Sequence, residues 1–513
     1  MIPVTKPFLP NREKLNQYLD GIYERNWLTN NGPLALELTS RLEEYLGVEN
    51  LLLVSNGTLA LQIAYRALGI NEPVNGKAAE AVTTPFTFIA TASSLKWEGV
   101  QPVFADIDPA TWCLAPENIE VKITPQTRAI VPVHVFGNAC DVEPIGAIAQ
   151  KHNLKVIYDA SHAFGVNYKG ESLLKHGDAA TLSFHATKLF HTGEGGAIVF
   201  KRKEDLERAK KMINFGITGP EHIEELGINA KMNELQAAMG LCVLDEMDNI
   251  QSSRKARWET YDRRLKGRVI QQRWEPKASN NHAYFPLVLH SESAVRKIMA
   301  SLSEEKIQAR RYFFPSLETV DHLLSPEEMP VSQAVAKRVL CLPLYVDLDV
   351  EKVLKVAEQC IPTATVTDLS QCGESQLVAF MRDMDKLFKP SIAARTDLSQ
   401  YVQKLKANGV VLGSTDSDQN VTSLVGFYAN DTVGRTAFIT YVAVDPELQG
   451  KHMAKTLVKQ AMTLSALKGM KVIKVSTWAE NAGALKVYQS LGFEEVERQS
   501  NEERTTVFLE AKL

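Results

Sequence analysis

Residues 181–200 read TLSFHATKLFHTGEGGAIVF: an apolar strand over Thr181–Phe184, a tight polar turn, and a second apolar strand over Ala197–Phe200. Lys188 stands between the two, followed by the small residues Gly193, Gly195 and Gly196. An ammonium held between buried strands loses hydration, which is unfavourable unless it has a partner or a task. The usual task is Schiff-base chemistry, in which a partly desolvated amine attacks a carbonyl. Lysines at strand ends are otherwise simply solvated. Upstream, Asp159-Ala160-Ser161-His162 supplies the other half of a cofactor site.

Working outward, the same alternation recurs. Leu51–Val54 reads as a strand, Ser55-Asn56-Gly57-Thr58 as a small polar turn, and the following residues as a helix closed by Gly69. Strand, turn and helix N-terminus together bind phosphate through free backbone N–H groups and the helix dipole. An ordinary capped turn has the same pattern. Strands over Ala81–Thr84, Pro102–Ala105, Ala129–Val135 and Lys155–Asp159 alternate with helices over Phe88–Trp97 and Glu143–His152. The rhythm predicts an α/β fold, a mostly parallel sheet with helices on both faces. Ligands of such sheets sit beyond the carboxyl ends of the strands. Ser55–Thr58, Asp159 and His162 all fall there.

The chain has 513 residues, enough for two or three domains. Its 45% hydrophobic and 23% charged residues describe a globular protein, and a formal charge of −4 offers no surface for nucleic acid. No apolar run reaches membrane-spanning length, and the N-terminus lacks an apolar signal core. The six cysteines are scattered without a Cys-x-x-Cys pair, as buried thiols of a cytoplasmic protein would be. No metal site is expected. Residues 1–361 are expected to form one catalytic domain, with a large part over about 1–250 and a small α/β lobe over about 251–361. Helices are expected over Lys203–Ile213 and from Asn233 to Leu265. The Thr/Ser/Gln-rich stretch 362–376 reads as a linker, and 377–513 as a second domain.

Asp159, Lys188 and the Ser55–Thr58 turn together suggest pyridoxal phosphate. Lys188 would hold its aldehyde, and Asp159 would keep the ring nitrogen protonated. Gly57, Thr58 and Ser183 would hold the phosphate, and Phe88 would cover the ring. His162 would bond the phenolic oxygen, or else be a satisfied core histidine. SNGTLAL (55–61), TPFTFIATA (84–92), DASHAFG (159–165), SFHATK (183–188), GEGGAI (193–198) and GINAKMNELQAAMG (227–240) resemble, in order, the DegT/StrS-type sugar aminotransferases among fold-type I pyridoxal-phosphate enzymes. The resemblance implies Lys188 as Schiff-base lysine and proton carrier, Asp159 at the ring nitrogen, His162 at the phenolic oxygen and Phe88 on the ring. It also implies Gly57, Thr58 and Ser183 at the phosphate. Asn229 is implied at the phosphate of a neighbouring subunit, hence a homodimer with shared sites. Asn56 and Lys231 depart from the commoner small residue and arginine. Because the lysine is present, transamination rather than dehydration is expected, with glutamate as donor and a nucleotide-linked keto sugar as acceptor. Arg310 and Arg311 beside Tyr312 are candidate contacts to the sugar nucleotide's diphosphate, or a solvated edge.

In the tail, helices over Leu377–Phe388 and Leu398–Ala407 precede strands over Thr422–Tyr428 and Thr436–Val444. Next come Gln449-Gly450-Lys451-His452-Met453-Ala454, a helix, a strand over Val472–Thr477 and a helix over Ala482–Leu491. This resembles the acetyl-CoA signature of GNAT-type acetyltransferases, with His452 in the place of a glycine. A side chain there crowds the approach of backbone to a pyrophosphate. The pattern Asn481-x-x-Ala484-x-x-x-Tyr488-x-x-x-Gly492-Phe493 strengthens the likeness. It implies Gln449, Gly450, Ala454 and Asn481 at acetyl-CoA and Tyr488 as the acid that protonates the departing thiolate. A core aromatic is the plainer alternative for Tyr488. Together the halves predict a bifunctional enzyme that aminates a dTDP-4-keto-6-deoxyhexose and acetylates the new amine. A 3-keto sugar, a different amine for the tail, or a non-catalytic sensor that merely binds both groups are the alternatives.

Overall fold

A computed structural model describes residues 1–323, 325, 327–388, 391–394, 396–500 and 504–513. The chain divides into two compact units. The first comprises Met1–Arg264, Gln271–Leu287 and Met299–Leu354; the second comprises Leu265–Ile270, Val288–Ile298 and Lys355–Leu513. Three stretches expected in the small lobe, 265–270, 288–298 and 355–361, thus group with the second unit, where the N–H of Val366 donates to the carbonyl of Gly267.

The first unit is built on β1 (Leu51–Val54), β2 (Glu80–Thr83), β3 (Gln101–Phe104), β4 (Thr127–Val131), β5 (Lys155–Asp159), β6 (Ala179–Ser183) and β7 (Gly196–Phe200), in the order β1-β7-β6-β5-β4-β2-β3. The pairs β6–β5, β5–β4, β4–β2 and β2–β3 are parallel. Only β7 runs against both its neighbours. β1, β6, β7 and β4 are buried along nearly their whole length, as the near-continuous apolar runs of a doubly covered sheet require. Helix α1 (Gly57–Ala67) packs on this sheet through Ala60, Leu61 and Ala64 in one core with Val54, Val131, Ile157 and Ile198. Helix α2 (Ala90–Trp97) follows β2. The expected helix from Asn233 to Leu265 is two helices, Glu234–Leu244 and Met247–Leu265. They part at Asp245, whose carboxylate pairs with Arg41 at 2.6 Å and with Lys14.

The sheet of the second unit begins inside the expected linker. Helix α3 (Glu374–Asp385) and helix α4 (Leu398–Asn408) accompany a seven-stranded sheet: β8 (Thr367–Asp368), β9 (Val410–Thr415), β10 (Val421–Asp431), β11 (Thr436–Val444), β12 (Val472–Trp478), β13 (Glu494–Ser500) and β14 (Thr505–Lys512). Its order is β8-β9-β10-β11-β12-β14-β13. Residues 362–376 are therefore not a plain connector. β8 pairs with β9, and Leu369 is buried beside Leu377. A two-residue edge strand needs no apolar periodicity, so the sequence carries no sign of it. Helix α5 (Met453–Leu467) and helix α6 (Ala482–Gln489) pack in a different cluster from α3 and α4. β11 and β12 pair in parallel only from Thr436–Val472 to Ile439–Val475. Beyond that point the two strands separate.

Candidate active site

All the parallel strands of the first sheet point their carboxyl ends to one edge, and β7 starts there. The register sets Gly196 opposite both Val54 and Ser183. Ser55–Thr58, Ser183, Asp159 and the β6–β7 connection carrying Lys188 therefore converge. The convergence is tight. A Cβ on Gly57 would lie 2.7 Å from Ser183 Cβ, and one on Gly196 would lie 2.7 Å from the Asn56 carbonyl. Glycine at both positions is what lets the chain close into a cradle. Asn56 caps α1 by accepting the N–H of Leu59 at 2.9 Å, which accounts for its departure from a smaller residue. The N–H groups of Gly57 and Thr58, first in the helix, have no acceptor among the described residues. An anion fits there.

Asp159 is buried and held from two sides. Thr91 Oγ1 donates to its Oδ2 at 2.7 Å, and the N–H of Ser161 donates to its Oδ1 at 3.1 Å. Since the Thr91 proton goes to the carboxylate, Thr87 Oγ1, 3.0 Å away, donates to Thr91. The sequence reading missed this threonine relay. Its signal is two buried threonines at i and i+4 on a segment leading into a helix, where each hydroxyl requires a partner. Lys188 is partly exposed as a residue, yet its amine is enclosed closely enough that burial pulls it down to about 8, against the attraction of Asp159. His162 is held well below the usual imidazole range by burial and by the Lys188 charge. Its Nδ1 accepts the N–H of Phe136 at 3.2 Å, which places the proton on Nε2. Its ring lies parallel to Phe313 (5.7 Å, 1°) and 4.8 Å from Tyr284.

The remaining expected residues are placed unevenly. Phe88, next to Thr87, is 51% exposed, an aromatic face open for a partner. Asn229 is exposed, while its neighbour Ala230 accepts the N–H of Ser55 at 2.9 Å. Tyr312 meets Tyr284 edge-on at 5.9 Å and lies under the guanidinium of Arg310 at 4.7 Å, one ring removed from His162. Arg311 is committed elsewhere, 3.5 Å over Phe314 and donating to the carbonyls of Ala336 and Lys337. Among the described residues no cluster of His, Cys, Asp or Glu is arranged to hold a metal.

In the second unit a cavity of about 1000 Å³ opens where β11 and β12 separate, and Gln449, Gly450, His452, Ala454, Asn481 and Tyr488 all line it. Gly450 (φ 78°) and His452 (φ 60°) are left-handed, so His452 stands in a glycine's conformation as well as a glycine's place. The N–H groups of Met453 and Ala454, opening α5, have no acceptor among the described residues. Asn481 caps α6 by accepting the N–H of Ala484 at 3.1 Å. Tyr488 is buried beside Phe493, and burial pushes its phenol up, so it stays protonated.

A mostly parallel sheet with a lysine, a buried carboxylate and an anion cradle at its carboxyl edge defines a fold-type I pyridoxal-phosphate enzyme, and the second unit defines an acetyltransferase domain. Residues 10–360 match the DegT/DnrJ/EryC1/StrS aminotransferase family, and residues 376–493 match the acetyltransferase (GNAT) family. The chain belongs to the DegT/DnrJ/EryC1/StrS aminotransferases and carries a GNAT domain behind that core. It is similar to a dTDP-4-amino-4,6-dideoxy-D-glucose transaminase of Shigella dysenteriae, 43% identical over 67% of this chain and 94% of that one. A GDP-perosamine synthase of Escherichia coli O157:H7 is 30% identical over 70% and 97%. Among solved structures, DesI determined in the presence of its TDP-sugar product aligns with a TM-score of 0.65 at 32% identity, covering 70% of this chain and 91% of that one. The cofactor of this family is pyridoxal phosphate, and the cradle, Asp159 and Lys188 suit it. Among the described residues no helix is long and apolar enough to cross a membrane.

Proposed function

We propose that the first unit aminates C4 of dTDP-4-keto-6-deoxyglucose with glutamate as donor, and that the second acetylates the amine so formed. The observation that carries the first half is the 43% identity to a dTDP-4-amino-4,6-dideoxy-D-glucose transaminase over 94% of its length, with the lysine–carboxylate pair in place. A second transaminase of that description, from Escherichia coli, is 36% identical over 97% of its length. Bound pyridoxal phosphate supplies an aldehyde that carries the amino group and a ring that withdraws electrons. Lys188 Nζ, depressed toward neutrality, is suited to bind that aldehyde and, when released, to move a proton at the substrate carbon. Asp159, kept in place by Thr91, favours a protonated ring nitrogen. His162 Nε2–H is free to donate to an oxygen of the bound group, and Phe88 to cover its face.

The second half rests on the cavity of the GNAT unit and on the chemistry of the first product, a primary amine suited to acyl transfer. Tyr488 would protonate the leaving thiolate. A homodimer with Asn229 reaching the partner's site is supported by the exposed apolar residues around it, Phe215, Ile217, Ile223, Leu226 and Ile228. The six free thiols suit a cytoplasmic enzyme. The test is to supply the full chain with pyridoxal phosphate, glutamate and dTDP-4-keto-6-deoxyglucose, with and without acetyl-CoA. Mass spectra should show an amino sugar nucleotide in both cases and its N-acetyl derivative only with acetyl-CoA. An acceptance restricted to a 3-keto or a GDP-linked sugar would overturn the substrate assignment.

A further inference from the structure

The sheet of the second unit is irregular where its cavity lies. Phe427 pairs with Ile439 and Gly426 with Tyr441, so three residues of β11 face two of β10 and Thr440 is the extra one. In a regular strand Ile439 and Tyr441 would share a face. A bulge rotates the strand and re-aims the side chains beyond it. Here Ile439 packs in the cluster of α5 and α6, whereas Tyr441 and Ala443 pack in that of α3 and α4. The cavity is lined from both sides, by Met453 and Tyr488 on the first and by Phe388, Tyr401 and Tyr441 on the second.

Tyr441 is 4% exposed, and its hydroxyl is buried without a hydrogen-bond partner among the described residues. Its neighbour Tyr401 is satisfied by Thr440 Oγ1 at 2.7 Å. No Asp or Glu is among the described residues lining the cavity, whereas Lys455, Lys486 and Arg504 are. The nearby carboxylate of Asp385 is engaged by Ser391 Oγ at 2.6 Å and by the N–H groups of Ile392 and Ala393. Arg504 lies 5.9 Å over Trp478, whose ring meets Phe388 edge-on at 6.0 Å. A buried polar atom left alone in a cavity wall calls for a partner, which a water or a bound ligand supplies. The cationic, aromatic rim fits a nucleoside diphosphate.

On the reading of this unit as an acetyltransferase, we propose that Tyr441, on the α3–α4 side of the cavity, is a positioning residue, its hydroxyl bonding the acceptor amine of a nucleoside-diphosphate-linked amino sugar. With no Asp or Glu among the described residues of the wall, the amine enters as the free base, its proton left in water. Its nitrogen bonds to the thioester carbonyl carbon as the C–S bond breaks. Sulfur takes a proton from the Tyr488 hydroxyl, the nitrogen loses its surplus proton to water, and Tyr488 is reprotonated from water. The sum is amine and thioester to amide and thiol.

The test is Tyr441→Phe in the full-length chain, assayed by thiol release with acetyl-CoA and enzymatically prepared dTDP-4-amino-4,6-dideoxyglucose. Removing an unpartnered hydroxyl leaves a structural tyrosine no less stable. The expected result is a loss of about tenfold or more in kcat/KM for the acceptor, with KM for acetyl-CoA within about twofold and Tm unchanged or raised. Transamination by the first unit should be unaffected. Acceptor kinetics within about twofold of the native chain, or a lowered Tm with both substrates weakened together, would overturn the proposal. A native chain that releases no thiol with this acceptor would overturn the acetylation reading itself, and the role of Tyr441 with it, before any substitution is made.

Discussion

At Lys188, burial pulls the amine from 10.5 to about 8, so about a tenth of it is neutral at pH 7. That readiness to react has a stability counterpart. Between pH 8 and 10.5 the unfolded chain holds more protons at this position than the folded one, so stability rises with pH across that window. Below it the enclosed ammonium destabilises the fold by roughly 3 kcal/mol. Lys188→Met, in protein free of cofactor, is therefore expected to be more stable than the native chain at pH 7, the gain shrinking above pH 8. Urea denaturation across the pH range measures it. A gain that does not change with pH would locate the lysine in solvent instead. Thr91→Val removes a donor to the Asp159 carboxylate, a charge-assisted bond of about 1.5–3 kcal/mol. Retention of pyridoxal phosphate, followed by dialysis, should weaken by about tenfold or more. Unaltered retention would mean that the Ser161 N–H alone holds the carboxylate.

The helix openings carry the other local predictions. His452 adopts φ 60°, which strains a residue bearing a Cβ by about 1 kcal/mol. Glycine there relieves strain but frees the unfolded chain by a similar amount, so His452→Gly should leave Tm near its native value. It also removes the side chain from the approach to the N–H groups of Met453 and Ala454, so calorimetric titration should find acetyl-CoA bound several-fold more tightly. Weaker binding would show that the imidazole itself contacts the ligand. Sequence discloses those elements whose causes are short in range. The βα rhythm and the convergence of Asp159, Ser183 and Lys188 come from local patterns and strand direction. The reversal of β7, the strand at Thr367–Asp368 and the bulge at Thr440 depend on pairing with residues far along the chain. So does the fate of Arg311. Its guanidinium donates to carbonyls 25 and 26 residues away.

Across the whole molecule, the exposed apolar stretch Phe215–Ile228 next to Asn229 is the surface expected to meet a second copy. Ile223→Asp with Leu226→Asp should shift sedimentation toward monomer and lower cofactor retention, because each site would lose the partner's Asn229. A dimer that survives these changes would place the interface elsewhere. The central claim is that one lysine, Lys188, holds the aldehyde of pyridoxal phosphate at the carboxyl edge of the first sheet. Incubation of the purified chain with pyridoxal phosphate, borohydride reduction and peptide mapping test it most directly. A single stable pyridoxyl adduct is predicted, on Lys188 and absent in Lys188→Ala. No adduct, or one on a different lysine, would contradict it.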